Sequence, residues 1–176
     1  MSPANPRPVA HVIRGLQASG KTTLSLLLAA QGAVHMPLDE VRRRVWPSCP
    51  RSWDPYSGPG LRVQVAFEAA VAVELAAGRD VVIDRTNLNV EGLRRLERLG
   101  ARLVIHDLRE VSLADCIARD AARPAATRVG EAAIRVSWDR WLAPGSGGRV
   151  KGAGGLSEHP GGVEGPPGAA EAPQAR

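Results

Sequence analysis

The chain has 176 residues and a mass of 18.6 kDa, enough for one domain of ordinary size with some chain to spare. Hydrophobic residues make up 44% and charged residues 23%, which allows a packed core, while 3% aromatics argue against a stacking platform for single-stranded nucleic acid. The formal charge of +5 is almost all arginine, since Lys21 and Lys151 are the only lysines, and it permits a phosphate-rich partner without establishing one.

In chain order, Val9-Ala10-His11-Val12-Ile13 is a short apolar run ending at Gly15, the pattern of a buried strand. Lys21 to Ala30 reads as a helix with Leu24, Leu27 and Leu28 on one stripe, and Ala33 to Met36 as a weak second strand. Asp39 opens a helix toward Val45, followed by a Pro/Ser/Gly-rich loop from Trp46 to Gly60. Leu61 to Ala77 is a long helix closed by Gly78, and Asp80 to Asp84 a core strand. Val90 to Leu99 is a helix stopped by Gly100, and Arg102 to His106 a fourth strand. Ser112 to Ala122 and Glu131 to Leu142 are the last helices. Strands alternating with helices predict an α/β fold with a parallel sheet. After Leu142 the composition changes, with 10 of the 19 glycines and 5 of the 14 prolines in residues 143–176. So little apolar surface cannot offset the entropy of ordering, so this tail is expected to be disordered. Residues 1–8 are expected to be a flexible N-terminus and 9–142 the working domain.

Cys49 and Cys116 fit no metal-ligand spacing and read as free thiols in a reducing compartment. No apolar run approaches the ~20 residues of a membrane helix, and Met1 to Pro8 lacks the apolar stretch of a secretory signal. A soluble cytoplasmic protein without a membrane partner is expected. His11, His35 and His106 share no ligand spacing, and Trp138 and Trp141 read as a core stripe.

Gly15-Leu16-Gln17-Ala18-Ser19-Gly20-Lys21-Thr22 satisfies G-x-x-x-x-G-K-[ST], with a strand running in and a helix leaving. Glycines let successive backbone N–H groups face a polyphosphate at the positive end of the helix. Lys21 is placed to reach the outer phosphates, and the hydroxyl of Thr22, followed by Thr23, to ligate Mg²⁺. Asp84, ending a Val-Val-Ile strand, is the candidate second metal residue, the alternative being a turn cap.

Asp39 stands just past the second strand, at the sheet edge where ligands of such folds bind. A carboxylate there can act as general base toward an acceptor hydroxyl, or simply cap the helix. Arg42 lies one turn on and can hold an anionic acceptor, while Arg43 and Arg44 read as solvated charges. Arg119 and Arg123 share a helix face before a flexible segment. They suit either a lid over phosphates or the favourable place of cations at a helix C-terminus, and Arg128 belongs to the same stretch.

These blocks, together with Asp84-Arg85-Thr86-Asn87-Leu88-Asn89, resemble the P-loop polynucleotide kinase family, in particular the 5′-OH kinase domain of phage-type end-healing enzymes, with zeta-toxin-like kinases related. The resemblance covers most of residues 9–142. It implies a P-loop NTPase domain of three α/β/α layers with an arginine lid. Its implied roles are Asp39 as base, Arg42 on an acceptor phosphate, Lys21 and Thr22 on ATP–Mg²⁺, Arg119 and Arg123 on the donor phosphates, and Thr86 and Asn87 on the acceptor side. Ala18 departs from a family glycine, Leu38 replaces a frequent arginine before the catalytic Asp, and Arg85 follows Asp84 where relatives are neutral or acidic. The activity so implied is ATP-dependent phosphotransfer to the 5′-OH of RNA or DNA. Rivals are a kinase for a small molecule or nucleoside, and an ATP-binding regulator or ATPase without transfer.

Overall fold

A computed structural model describes residues 7–50, 53 and 58–142. The tail and the first six residues lie outside the described residues, as do residues 51, 52 and 54–57 of the loop before Gly58. The strands are β1 (Val9–Arg14), β2 (Val34–Pro37), β3 (Val81–Asp84) and β4 (Arg102–Asp107). They form one parallel sheet in the order β2-β3-β1-β4. The helices are α1 (Lys21–Ala30), α2 (Leu38–Val45), α3 (Gly58–Ala76), α4 (Val90–Arg98), α5 (Leu113–Ala121) and α6 (Glu131–Trp141), with a 3₁₀ turn at Ala125–Thr127 before α6.

Register explains the layers. Ala10, Val34, Val81 and Leu103 align across the sheet, as do Val12, Met36, Ile83 and Ile105. Side chains alternate along a strand, so both rows point to one face. There they pack on Phe67, Val71 and Leu75 of α3, Leu93 and Leu96 of α4, and Val41 of α2. The opposite face carries His11, Ile13, His35, Val82 and Asp84, and α1 lies over it against β1, β2 and β3. The result is the expected three-layer α/β/α arrangement.

Within α1 the buried positions are Lys21 and Ser25, with Leu24 and Leu28 half-buried. Leu27 is 58% exposed, which corrects the expected Leu24/Leu27/Leu28 stripe. A three-residue step from Leu24 overshoots the narrow strip of α1 that faces the sheet, whereas the four-residue step to Leu28 stays on it. Asp80 is more than a solvated charge, because its carboxylate accepts the Val9 N–H at 2.7 Å and fixes the start of β1. A second, smaller cluster of Leu16, Leu88, Cys116 and Ile134 joins the loop after β1 to α5 and α6, with Trp138 and Trp141 packed against it. Both cysteines are free.

Connections leave β1 and β3 in opposite directions along the sheet, β1 through α1 to β2 and β3 through α4 to β4. The carboxyl ends of these neighbours form the crevice where ligands of open α/β sheets bind. Phe67 is fully buried between this sheet and α3, and the Arg85 guanidinium lies 5.3 Å from its ring centroid. Phe67→Ala should cost about 3–5 kcal/mol of unfolding free energy through the cavity it leaves. Urea denaturation measures it, and a loss below about 1 kcal/mol would place the core elsewhere.

Candidate functional site

The loop after β1 curls because its sequence allows positive φ where the chain must turn. Gly20 has φ 104° and Ala18 φ 61°. A β-carbon on Gly15 would meet Ser19 Oγ at 2.6 Å and the Leu108 carbonyl at 3.2 Å, so only glycine fits there. Ala18 adopts the left-handed region at a cost of about 1–2 kcal/mol. Gly20 caps α1 without any side-chain hydrogen bond. The first-turn N–H groups of α1 are left unpaired by side chains at the positive end of the helix, a ready anion site.

Lys21 is buried in this loop, and its Nζ donates to the Leu16 carbonyl at 2.5 Å. Burial lowers its pKa to about 8, opposed most strongly by the Asp84 carboxylate and less by Asp39. Thr22 and Thr23 are exposed on the first turn of α1. Ser19 Oγ and Gln17 Oε1 are buried without a partner, whereas Gln17 Nε2 donates to Ser137 of α6 at 3.0 Å.

The segment after β3 frames the loop. Gly15 N–H donates to the Thr86 carbonyl at 3.2 Å, and Arg14 Nε to the Asn87 carbonyl at 3.2 Å. Asn87, at φ 51°, is 5% exposed. Its Nδ2 donates to the carbonyls of Ile13 at 2.8 Å and Ile83 at 3.1 Å. The expected acceptor-side role therefore does not suit Asn87, whose carboxamide nitrogen is spent inside the protein joining β1 to β3. Arg85 holds the other end of that amide at 2.7 Å and also donates to Gln64 at 3.2 Å. Thr86 is half-buried, Leu88 enters the smaller core and Asn89 caps α4. Each residue of this block has a structural task.

Asp39 lies in the first turn of α2, one residue inside it. Pro37 occupies the N-cap position without side-chain capping, so the bland alternative for Asp39 does not hold. The carboxylate is 75% exposed and pairs with Arg42 Nη2 at 3.3 Å, while Arg42 Nε is buried with no partner. The Arg42 side chain keeps 21% of its surface exposed beside the Asp39 carboxylate, so a guanidinium of the kind suited to anions stands at the surface there.

Arg119 on α5 and Arg123, two residues past the end of that helix, come to the same place, although Arg123 does not share a helix face with Arg119 as expected, because α5 stops at Ala121. Arg119 Nη1 donates to the Ser19 carbonyl at 3.4 Å, and Arg123 is close enough to Lys21 to depress its pKa. Sequence reasoning missed the residue that organises them. Asp120, buried on α5, accepts the N–H groups of Val129 at 3.1 Å and Gly130 at 2.8 Å and lies 3.7 Å from Arg123. Its position between two arginines was the only signal. Burial alone would raise the Asp120 carboxyl, but the Gly130 and Val129 N–H groups, helped by Arg123 and Arg128, hold it below its ordinary 3.8.

Thr22 offers a hydroxyl and Asp84 a carboxylate, and among the described residues no three acidic, His or Cys side chains converge. A divalent cation here would draw its other ligands from phosphate oxygens and water, which is how Mg²⁺ is usually held. The donor set fits Mg²⁺.

Fold and cradle together define a P-loop α/β domain with a kinase-like fold. Residues 11–144, about three quarters of the chain, match the AAA_33 family, described as an AAA domain, and the chain belongs to that family. No curated protein matches it. Among solved structures it is similar to a chain of the Pnkp1/Rnl/Hen1 complex, at 18% identity and TM-score 0.57, over 71% of this chain and 42% of that one. A chain of the Pnkp1/Rnl/Hen1 RNA repair complex matches at 20% and 0.62, over 76% and 44%. A gluconokinase from Sinorhizobium meliloti 1021 matches at 19% and 0.52, over 74% and 73%. The chain spans less than half the length of the two Pnkp1/Rnl/Hen1 chains, and at these identities the likeness is one of fold. No helix among the described residues is long and apolar enough to cross a membrane.

Because Asp120 is held below its ordinary pKa, it stabilises the fold at pH values above 3.8, and this contribution disappears as pH falls further. Asp120→Ala should lower unfolding free energy by about 2–3 kcal/mol at neutral pH. The gap to wild type should narrow in acid, as denaturation at the two pH values will measure. An equal gap at both would contradict a charge-based role.

Proposed function

We propose that the protein is an ATP-dependent kinase that moves the γ-phosphoryl group to a hydroxyl, with the 5′-OH end of RNA or DNA as acceptor. The observation that carries this reading is the exposed Asp39 carboxylate beside Arg42, within electrostatic reach of Lys21 in the cradle.

In this reading the triphosphate lies along residues 15–23, against the loop N–H groups and Lys21. Asp39 accepts the hydroxyl proton as the acceptor oxygen bonds to the γ-phosphorus. The bond from that phosphorus to the bridging oxygen breaks in line, and ADP departs with the electron pair. Lys21, Arg119 and Arg123 balance the charge spreading over the phosphoryl oxygens. Mg²⁺, held by Thr22 and Asp84, would supply further neutralisation of the phosphates. Arg42, partly exposed beside Asp39, grips a phosphate of the acceptor. Such a grip favours a nucleic-acid end, and the shared fold with chains of an RNA repair complex agrees with it. A small-molecule acceptor is the second reading, because this chain spans most of the gluconokinase but less than half of the repair-complex chains.

The test is transfer of labelled γ-phosphate from ATP to 5′-OH RNA and DNA oligonucleotides, with gluconate and nucleosides alongside. Oligonucleotide labelling is expected. Asp39→Ala should cut kcat by about 100- to 10,000-fold while ATP affinity changes little. An active wild type matched by this variant would overturn the base assignment, and labelling of small acceptors alone would move the protein to the second reading.

A further inference from the structure

β2 and β3 run parallel with Met36 opposite Ile83 and Pro37 opposite Asp84. Met36 and Ile83 point to the α3 face, so His35 and Asp84 share the other one, beneath α1 and beside the cradle. The imidazole spans the diagonal between the two strands, and its Nε2 lies 3.1 Å from Asp84 Oδ2. A carboxylate can only accept, so the proton of this bond sits on Nε2. The Asp84 side chain is 10% exposed and His35 is 23% exposed, so water competes little for the bond. Among the described residues His35 provides the one hydrogen bond to the Asp84 side chain, and it occupies Oδ2, leaving Oδ1 for a ligand approaching from the cleft.

We infer that His35 is a positioning residue, holding the Asp84 carboxylate in the one orientation that receives Mg²⁺ alongside the nucleotide phosphates. The inference rests on the reading of Asp84 as a metal-side residue, but it requires no particular acceptor. A carboxylate on a strand end has free rotation about its last bond, and a metal must select one rotamer from those available. A partner that fixes one oxygen removes this cost before the ion arrives. Outer partners of metal ligands commonly tune affinity by 10- to 100-fold in this way. Lys21 acts on the Asp84 carboxylate through space, but among the described residues His35 is the side chain within hydrogen-bond distance of it, so the orientation of the carboxylate depends on His35.

The experiment measures binding of the non-hydrolysable analogue AMPPNP by titration calorimetry, first in EDTA and then across a range of MgCl₂. Wild type is expected to bind more tightly as Mg²⁺ is added. His35→Ala should raise the Mg²⁺ concentration for half effect by about 10- to 100-fold. Its affinity in EDTA should stay within about two-fold, because the loop N–H groups and Lys21 remain. His35→Gln, whose side-chain nitrogen reaches about as far as Nε2, should restore most of the Mg²⁺ response. Three results would overturn the inference: an unchanged Mg²⁺ response in His35→Ala, an equal loss with and without Mg²⁺ that Gln does not rescue, or a wild type indifferent to Mg²⁺. None of these bears on whether phosphate reaches a 5′-OH end, which the labelling assay decides on its own.

Discussion

The carboxamide of Asn87 ties the carbonyl of Ile13 at the end of β1 to that of Ile83 near the end of β3. Those two strand ends define the crevice, and the phosphate loop starts one residue after β1. If the strands splayed, Gly15 would lose its hydrogen bond to Thr86, and the loop would lose the floor on which it curls. Arg85, braced on Phe67 and Gln64, holds the other side of the same amide. A contiguous chain of contacts thus runs from the main core to the cradle. Nearly every donor in it is buried or half-buried, where an unmade hydrogen bond is expensive.

Charge is organised around this frame. Lys21 is drawn inside at a cost to its protonated form, and the Asp84 carboxylate recovers part of that cost. Arg119 approaches from α5 and Arg123 from just past its end, and Asp120 anchors the segment that follows by taking the N–H groups of Val129 and Gly130. Cations therefore surround an opening whose floor is a row of backbone donors. The carboxylates of Asp84 and Asp39 stand at its margins, where the proposed reading uses the first for a metal and the second for an acceptor. This division of signs suits a polyanion that must be held while one of its phosphoryl groups leaves.

What could be read in advance was local. The cradle spans eight consecutive residues, so spacing alone brought it together, whereas Arg123 falls past the end of α5 and reaches the site through the turn that follows rather than by helical spacing from Arg119. The strands and helices came out within a few residues of their expected limits, because apolar periodicity and glycine stops are short-range signals. Pairings between distant segments were not legible. Asp84 and His35 are 49 residues apart, Asn87 and Ile13 74, and Asp80 and Val9 71. Each needs the strand order β2-β3-β1-β4 and its register, which no window of sequence contains. The wrong placing of Leu27 has the same root, since which strip of α1 is covered depends on how the helix crosses the sheet.

The most direct measurement is calorimetric titration of ATP with Mg²⁺ near pH 8, repeated in two buffers of different ionisation enthalpy. Lys21 titrates at about 8 in the free protein, and bound phosphates would raise that value, so saturable binding should come with net proton uptake. Lys21→Met should lose the uptake. A protein that is folded by circular dichroism and takes up no ATP at all would contradict a phosphate cradle at residues 15–22, and the roles given to its neighbours would go with it.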